Sequence, residues 1–204
     1  MNDRLYGQSA RGAHTGSANT PLSMAIPPSH DGLTCLLAMQ YANAAAATVN
    51  GVTAMLTLGR TKVAEDAASG QPRLKLAAEP GPSGNALAAN DILCVRNVNG
   101  AIEVLKISNG SYADCNATAN LSANVALGAD AWFFGVAGDT DPKTGEAHQV
   151  FRCAANGTTS LPAVAHAGTA LARSHGQDEP IVLQSNMTNG AGTFDVAAFG
   201  YVKQ

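Results

Sequence analysis

The segment Ile92-Leu-Cys-Val-Arg-Asn-Val-Asn-Gly-Ala-Ile-Glu-Val-Leu-Lys-Ile107 sets the fold class. Two apolar runs flank Asn99-Gly100, a dipeptide whose tolerance of positive φ suits a two-residue type I′ hairpin loop. That loop pairs Val98 with Ala101, Arg96 with Glu103, and Val95 with Val104. It then sets Cys94 against Leu105 and Ile92 against Ile107. Opposite charges meet and apolar residues meet, each pair adding about 0.2–1 kcal/mol. A one-residue slip would break both matches.

The same grammar extends in both directions. Short apolar runs at Leu33–Gln40, Val52–Leu58, Arg73–Ala77, Asp91–Val98 and Ala101–Ser108 read as strands. So do Ala131–Ala137, Ala147–Ala154, Ile181–Ser185 and Thr193–Val202. Turn chemistry separates them at Asn50-Gly51, Pro80–Gly84, Asn99-Gly100, Asn156-Gly157 and Asn189-Gly190. The last run is apolar on both faces after Ala197, as in a strand in mid-sheet or one facing a neighbouring subunit. Only Met39–Val49, rich in Ala from Ala44 to Ala47, has helical composition. The expectation is an all-β chain: a β-sandwich or jelly roll of eight or nine short strands with at most one short helix.

Residues 1–32 differ in composition from the rest of the chain. Leu5, Tyr6, Leu22, Met24 and Ile26 are their large apolar side chains, scattered among Gly, Ser, Asn and Pro. Such a segment buries too little surface to offset its ordering entropy. It is expected to be an extended N-terminal arm that orders against another polypeptide through those five residues. The β-sandwich domain is then expected over 33–204.

Composition narrows the function classes. The 204 residues carry a net charge of −3 with only 13% charged side chains. That excludes a charged disordered tail and a charged helical rod. It also argues against nucleic acid as a partner, which would require clustered Lys and Arg. Of the 46% apolar residues, 39 are Ala, whereas Leu, Ile, Val and Phe together number 40. A lone domain of this composition is marginal, and burial at subunit contacts would supply stabilisation. The uncharged stretch Leu33–Gly59 is broken by Thr48, Thr53, Thr57, Asn43, Asn50 and Gly51, so a membrane span is not expected. The opening residues lack a secretory apolar core, which points to synthesis in the cytoplasm.

No catalytic motif emerges. The chain has no His-Glu-x-x-His, Walker loop or Gly-x-Ser-x-Gly, and His14, His30, His148, His166 and His175 form no recognisable pair with Ser or Cys. Cys35, Cys94, Cys115 and Cys153 lack zinc-ligand spacing; Cys94 and Cys153 sit in apolar runs, as small buried hydrophobes do. Asp139-Thr-Asp-Pro-Lys-Thr-Gly145 has two carboxylates at i and i+2, but Pro142 and Gly145 explain it as an Asx-type turn without calcium. The Asn-x-Ser/Thr triplets at Asn109, Asn116, Asn120, Asn156 and Asn186 arise from an Asn- and Thr-rich composition. No cofactor, metal or enzymatic activity is expected. Trp132 and the nine Phe and Tyr residues are expected to fill cores rather than form stacking platforms.

Met1, the Gly/Ser/Pro-rich stretch Gly7–Gly32, the Ala/Gly/Asn/Thr-rich β-domain and the ending Gly192-Thr-Phe-Asp-Val-Ala-Ala-Phe-Gly-Tyr-Val-Lys-Gln204 together resemble virion structural proteins of tailed bacteriophages. The type resembled is the capsid decoration (cement) or head-fibre base protein. The last strand is similar to the closing strand of trimeric jelly rolls. The resemblance implies a non-enzymatic virion component that clamps neighbouring major capsid subunits, as a homo-oligomer with the trimer favoured. The alternative is a receptor-binding or glycan-binding β-domain of a tail fibre or adhesin, for which Trp132 is the probe.

Overall fold

Nearly every expected strand run finds a backbone partner. The computed structural model describes residues 4–15, 23–43, 48–82, 86–136, 148–152, 158–161, 172–189 and 191–203, and among them the chain forms fifteen strands and no α-helix. It divides into two compact units. The first joins Met1–Leu56 to Gln149–Gln204, and the second is the intervening Thr57–His148.

In chain order the first unit contributes β1 (Arg4–Thr15), β2 (Ser23–Ile26), β3 (Leu33–Asn43) and β4 (Thr48–Met55). After the second unit come β11 (Gln149–Arg152), β12 (Thr158–Leu161), β13 (Ala172–Arg173), β14 (Ile181–Asn189) and β15 (Ala191–Lys203). One sheet has the order β1-β15-β3-β12, with β13 also on β3, and the other has the order β11-β4-β14-β2. All pairings are antiparallel, and they nest: β1 with β15, β2 with β14, β3 with β12, β4 with β11. Two further seams, β15 with β3 and β14 with β4, close up each sheet. The closing strand therefore lies in mid-sheet, between β1 and β3.

Three expectations change here. Within the expected arm of residues 1–32, the described strands Arg4–Thr15 and Ser23–Ile26 are paired into sheets. β1 pairs with β15 at twelve consecutive positions, from Arg4 opposite Val202 to Thr15 opposite Ala191, and β2 pairs with β14. Backbone pairing needs no large side chains, so a segment poor in them can still join a sheet. Met39–Asn43, expected as the start of a helix, is the end of β3, held on one side by β12 and on the other by β15. Tertiary pairing overrides weak helical propensity there. Asn50-Gly51, expected as a turn, lies within β4, opposite the irregular stretch of β14 where the register shifts at Asn186/Met187.

The span 33–204, expected as one sandwich, instead contains the inserted second unit. Its strands are β5 (Gly59–Lys62), β6 (Arg73–Leu74), β7 (Ile92–Arg96), β8 (Ile102–Ser111), β9 (Asp114–Ala117) and β10 (Asp130–Gly135), in the sheet order β5-β10-β7-β8-β9-β6. Leu93, Val95, Leu105, Ile107, Ala131 and Phe133 form one buried face, covered by Val63, Ala67, Leu74, Leu76, Leu121 and Val125. Each large member stabilises by about 1.5–3 kcal/mol when fully buried.

The β7–β8 hairpin exists but is offset by one residue from the expected register. Arg96 faces Ile102, Val95 faces Glu103, Cys94 faces Val104 and Ile92 faces Lys106. The loop has three residues rather than two. The Asn97 N–H donates to the Ala101 carbonyl at 2.9 Å, the Gly100 N–H to the Asn97 carbonyl at 2.9 Å, and Gly100 takes φ +80°. This is a turn followed by a left-handed glycine, the usual three-residue hairpin solution. Asn97 Oδ1 secures it by accepting the N–H groups of Asn99 and Ala101, each at 3.0 Å.

Candidate interaction surface

The five expected partner-binding residues separate into two roles, with one outside the described residues. Met24 and Ile26 are buried in β2, at 7% and 1% exposure. Tyr6 is half-buried, and its Oη donates to the Cys35 carbonyl at 2.9 Å. Burial raises its pKa, and the neighbouring Cys35 adds to the rise. Leu22 lies outside the described residues. Leu5, 79% exposed at the start of β1, is the member presented to solvent. Tyr6, Met24 and Ile26 therefore anchor the opening segment to its own unit.

β1 is an edge strand. One side is taken by β15, and among the described residues no other strand pairs with β1. An edge strand presents a row of backbone donors and acceptors, which in native proteins is usually blunted by proline, a bulge or brevity. β1 has twelve residues, no proline and an uninterrupted register.

The second unit offers a cationic face. Positions Arg60, Lys62, Arg96, Lys106, Asp130 and Trp132 share one side of the sheet, as the β5–β10–β7–β8 register requires. Asp130 Oδ1 accepts from Lys62 Nζ at 2.6 Å and from Arg60 Nη2 at 2.8 Å. Burial by itself would raise the Asp130 carboxyl pKa, but the bonds from Lys62 and Arg60 outweigh it and hold the group below the usual carboxylate range. The Arg60 and Arg96 guanidinium groups lie 5.9 and 5.6 Å from the Trp132 ring centre. Trp132 is fully buried. A sugar cannot stack on a ring so covered, so the tryptophan expected as the glycan probe is a packing residue.

Glu103 is a structural organiser that composition alone does not reveal. It accepts from Asn97 Nδ2 at 3.0 Å, from the Ser122 N–H at 2.8 Å and from the Ala123 N–H at 3.1 Å. Burial pushes its pKa up, but these hydrogen bonds prevail and hold it below its usual value. The Asn97 side chain, three positions before the expected loop's end, was the available signal. Asn two residues before a turn commonly bonds the backbone ahead of it.

Cys35, Cys94 and Cys115 are buried free thiols; burial raises the pKa of each, that of Cys115 to about 11. Cys153 and the loop Asp139–Gly145 lie outside the described residues. His148 Nε2 is 2.7 Å from the Phe134 carbonyl and buried. Among the described residues no three His, Cys, Asp or Glu side chains converge as metal ligands, and no helix is long and apolar enough to cross a membrane.

No protein-family model matches the chain, and no curated protein matches it. Among solved structures it is weakly similar to VP17, a capsid protein of bacteriophage P23-77, at 11% identity and a TM-score of 0.23 over the whole of both chains. An overlap of that size carries no conclusion about fold or role.

Proposed function

We propose that this chain is a non-enzymatic virion structural protein whose first unit is a jelly roll. The nested strand order carries the proposal. Pairing first with last, second with second-to-last and so inward describes one long antiparallel hairpin, and the seams β15–β3 and β14–β4 are what rolling that hairpin produces. Viral capsid domains are frequent users of this architecture. Lectins share it, but fold does not fix function, and the buried Trp132 offers no platform for a sugar.

Within that role we favour a capsid decoration or cement protein contacting neighbouring major capsid subunits in the particle. A loose arm is not the clamp, because β1 and β2 belong to the sheets of their own unit. Contact would come from the β1 edge with Leu5 and from the cationic face. The resemblance of β15 to the closing strand of trimeric jelly rolls makes the trimer the assembly to look for by sedimentation.

Mass spectrometry of purified particles from the source tests the reading. A fixed ratio of this chain to the major shell subunit supports decoration. A handful of copies moves it to a tail or vertex, and absence from particles removes the virion role.

A further inference from the structure

We infer that the Asn99-Gly100 step is a modification site, at which Asn99 deamidates spontaneously to aspartate and isoaspartate in the folded protein. The inference goes beyond the virion reading and does not depend on it, since the chemistry needs only this chain and water.

The reaction is internal to the dipeptide. The Gly100 backbone nitrogen gives its proton to solvent base and attacks Asn99 Cγ. A bond forms between those two atoms, the Cγ–Nδ2 bond breaks and ammonia leaves, so a succinimide ring closes. Water then opens the ring at either carbonyl, giving aspartate or isoaspartate. Glycine favours the step because it has no Cβ to obstruct the attacking nitrogen.

The sequence has five Asn-Gly steps, at Asn50, Asn99, Asn109, Asn156 and Asn189. Asn50-Gly51 lies inside β4, where Gly51 is paired with Arg152 on one side and Asn186 on the other. Asn109-Gly110 lies in β8 and is paired with β9. There Asn109 Oδ1 accepts from Asn116 Nδ2 at 3.0 Å, and Gly110 lies so close to the Asp114 and Cys115 backbone that a Cβ would collide with it. Ring closure at either of these steps must first part a pair of strands.

Asn99-Gly100 differs on each count. Both residues are exposed in the loop between β7 and β8, and a Cβ at Gly100 would meet nothing within 4 Å among the described residues. One restraint remains. The Gly100 N–H donates to the Asn97 carbonyl at 2.9 Å, and a succinimide nitrogen has no hydrogen to donate. That bond must open, which in an exposed loop is a local event, less costly than parting strands. Asn97 Oδ1 sets the cost by holding the N–H groups that flank the attacking nitrogen, those of Asn99 and Ala101. Either product adds a carboxylate to the loop whose Gly100 carbonyl accepts from Arg96 Nη1 at 3.4 Å, so the positive charge at this end of the cationic face falls.

Peptide mapping tests the assignment. The folded protein and the synthetic peptide Asn97–Lys106, the product of tryptic cleavage after Arg96 and Lys106, are held in mildly alkaline buffer until the peptide has converted. Tandem mass spectrometry then locates each amide-to-acid change in the digested protein. Conversion at Asn99 is expected, slower than in the free peptide and several-fold faster than at Asn50 or Asn109. An intact Asn99, or conversion at Asn50 or Asn109 that equals or outpaces it, overturns the proposal. Asn97→Ala should speed conversion at Asn99 several-fold and leave Asn109 unchanged. No acceleration, or an equal one at both positions, overturns the local opening through which the folded protein reacts.

Discussion

The Tyr6 hydroxyl donates to the Cys35 carbonyl at 2.9 Å by passing directly over Gly200. Three neighbouring strands are tied by that one side chain, because Tyr6 faces Gly200 across the β1–β15 ladder and Cys35 lies on β3 beyond it. A Cβ at position 200 would fall on the Cys35 carbonyl oxygen and the Tyr6 hydroxyl. Tyr6→Phe should lower unfolding free energy by about 1 kcal/mol, the usual net worth of a hydrogen bond. Gly200→Ala should cost more, and Tyr6→Ala should not rescue it, since the backbone oxygen of Cys35 remains in the way. Denaturant unfolding of the three variants and the double variant checks this order.

The β7–β8 loop makes opposite predictions for two nearby residues. Asn97→Ala removes two bonds to the loop backbone and one to Glu103, so a loss of about 2 kcal/mol is expected. Asn99→Ala should stay within about 0.5 kcal/mol of the natural chain, because Asn99 is exposed and Gly100 alone supplies the positive φ of the loop. A type I′ loop would reverse that sensitivity. Thermal unfolding of the pair decides between them.

Acid should weaken the second unit through Glu103. Its folded pKa lies below the unfolded value of 4.5. A group depressed in this way contributes stability that is present above the unfolded value and is lost as the pH falls through the folded one. Stability is therefore expected to decline below about pH 4.5, and Asp130, also depressed, acts in the same direction. Glu103→Gln should start less stable at neutral pH and show a shallower acid decline, read from denaturant midpoints between neutral and acidic buffers.

Excising the second unit should leave the first one folded. The chain departs after β4 and returns at β11, and those strands are direct neighbours, with Ala54 opposite Gln149. Replacing Thr57–His148 by a short turn closes a hairpin that already exists, at small entropic cost. Far-ultraviolet circular dichroism should retain a β spectrum with a cooperative melt. A noncooperative chain would show that the insert is required for the first unit to fold.

Trp132 should behave as a sealed fluorophore. Iodide is expected to quench it little in the natural chain and more in Arg96→Ala, which uncovers one side of the ring. Glycans should leave its emission unchanged, in contrast to a lectin platform.

Much of the architecture was legible in the residues, and the misreadings have physical causes. Ile92–Arg96 and Ile102–Ile107 declared a hairpin, yet its register was not recoverable. Ile92, Leu93, Cys94 and Val95 are all buried, so neither face is marked as the polar one and the period-two signal cannot choose between adjacent alignments. The choice fell to Asn97 and Glu103, whose partners at Ser122 and Ala123 are distant in sequence. Asn50-Gly51 shows a related limit, because a turn dipeptide becomes part of a strand once neighbours on both sides offer hydrogen bonds.

By itself the sequence determined the all-β class and the burial of Cys94 and Trp132, and it offered the mid-sheet position of the last strand as one of two alternatives. Those rest on local quantities: side-chain size, β propensity and unbroken apolar runs. Tertiary structure alone decided that the opening residues join the closing ones, that a second unit interrupts the first, and which strand neighbours which. These are pairings between backbones far apart in the chain. Backbone hydrogen bonds look alike at every residue, so no side chain records its partner until the sheets assemble.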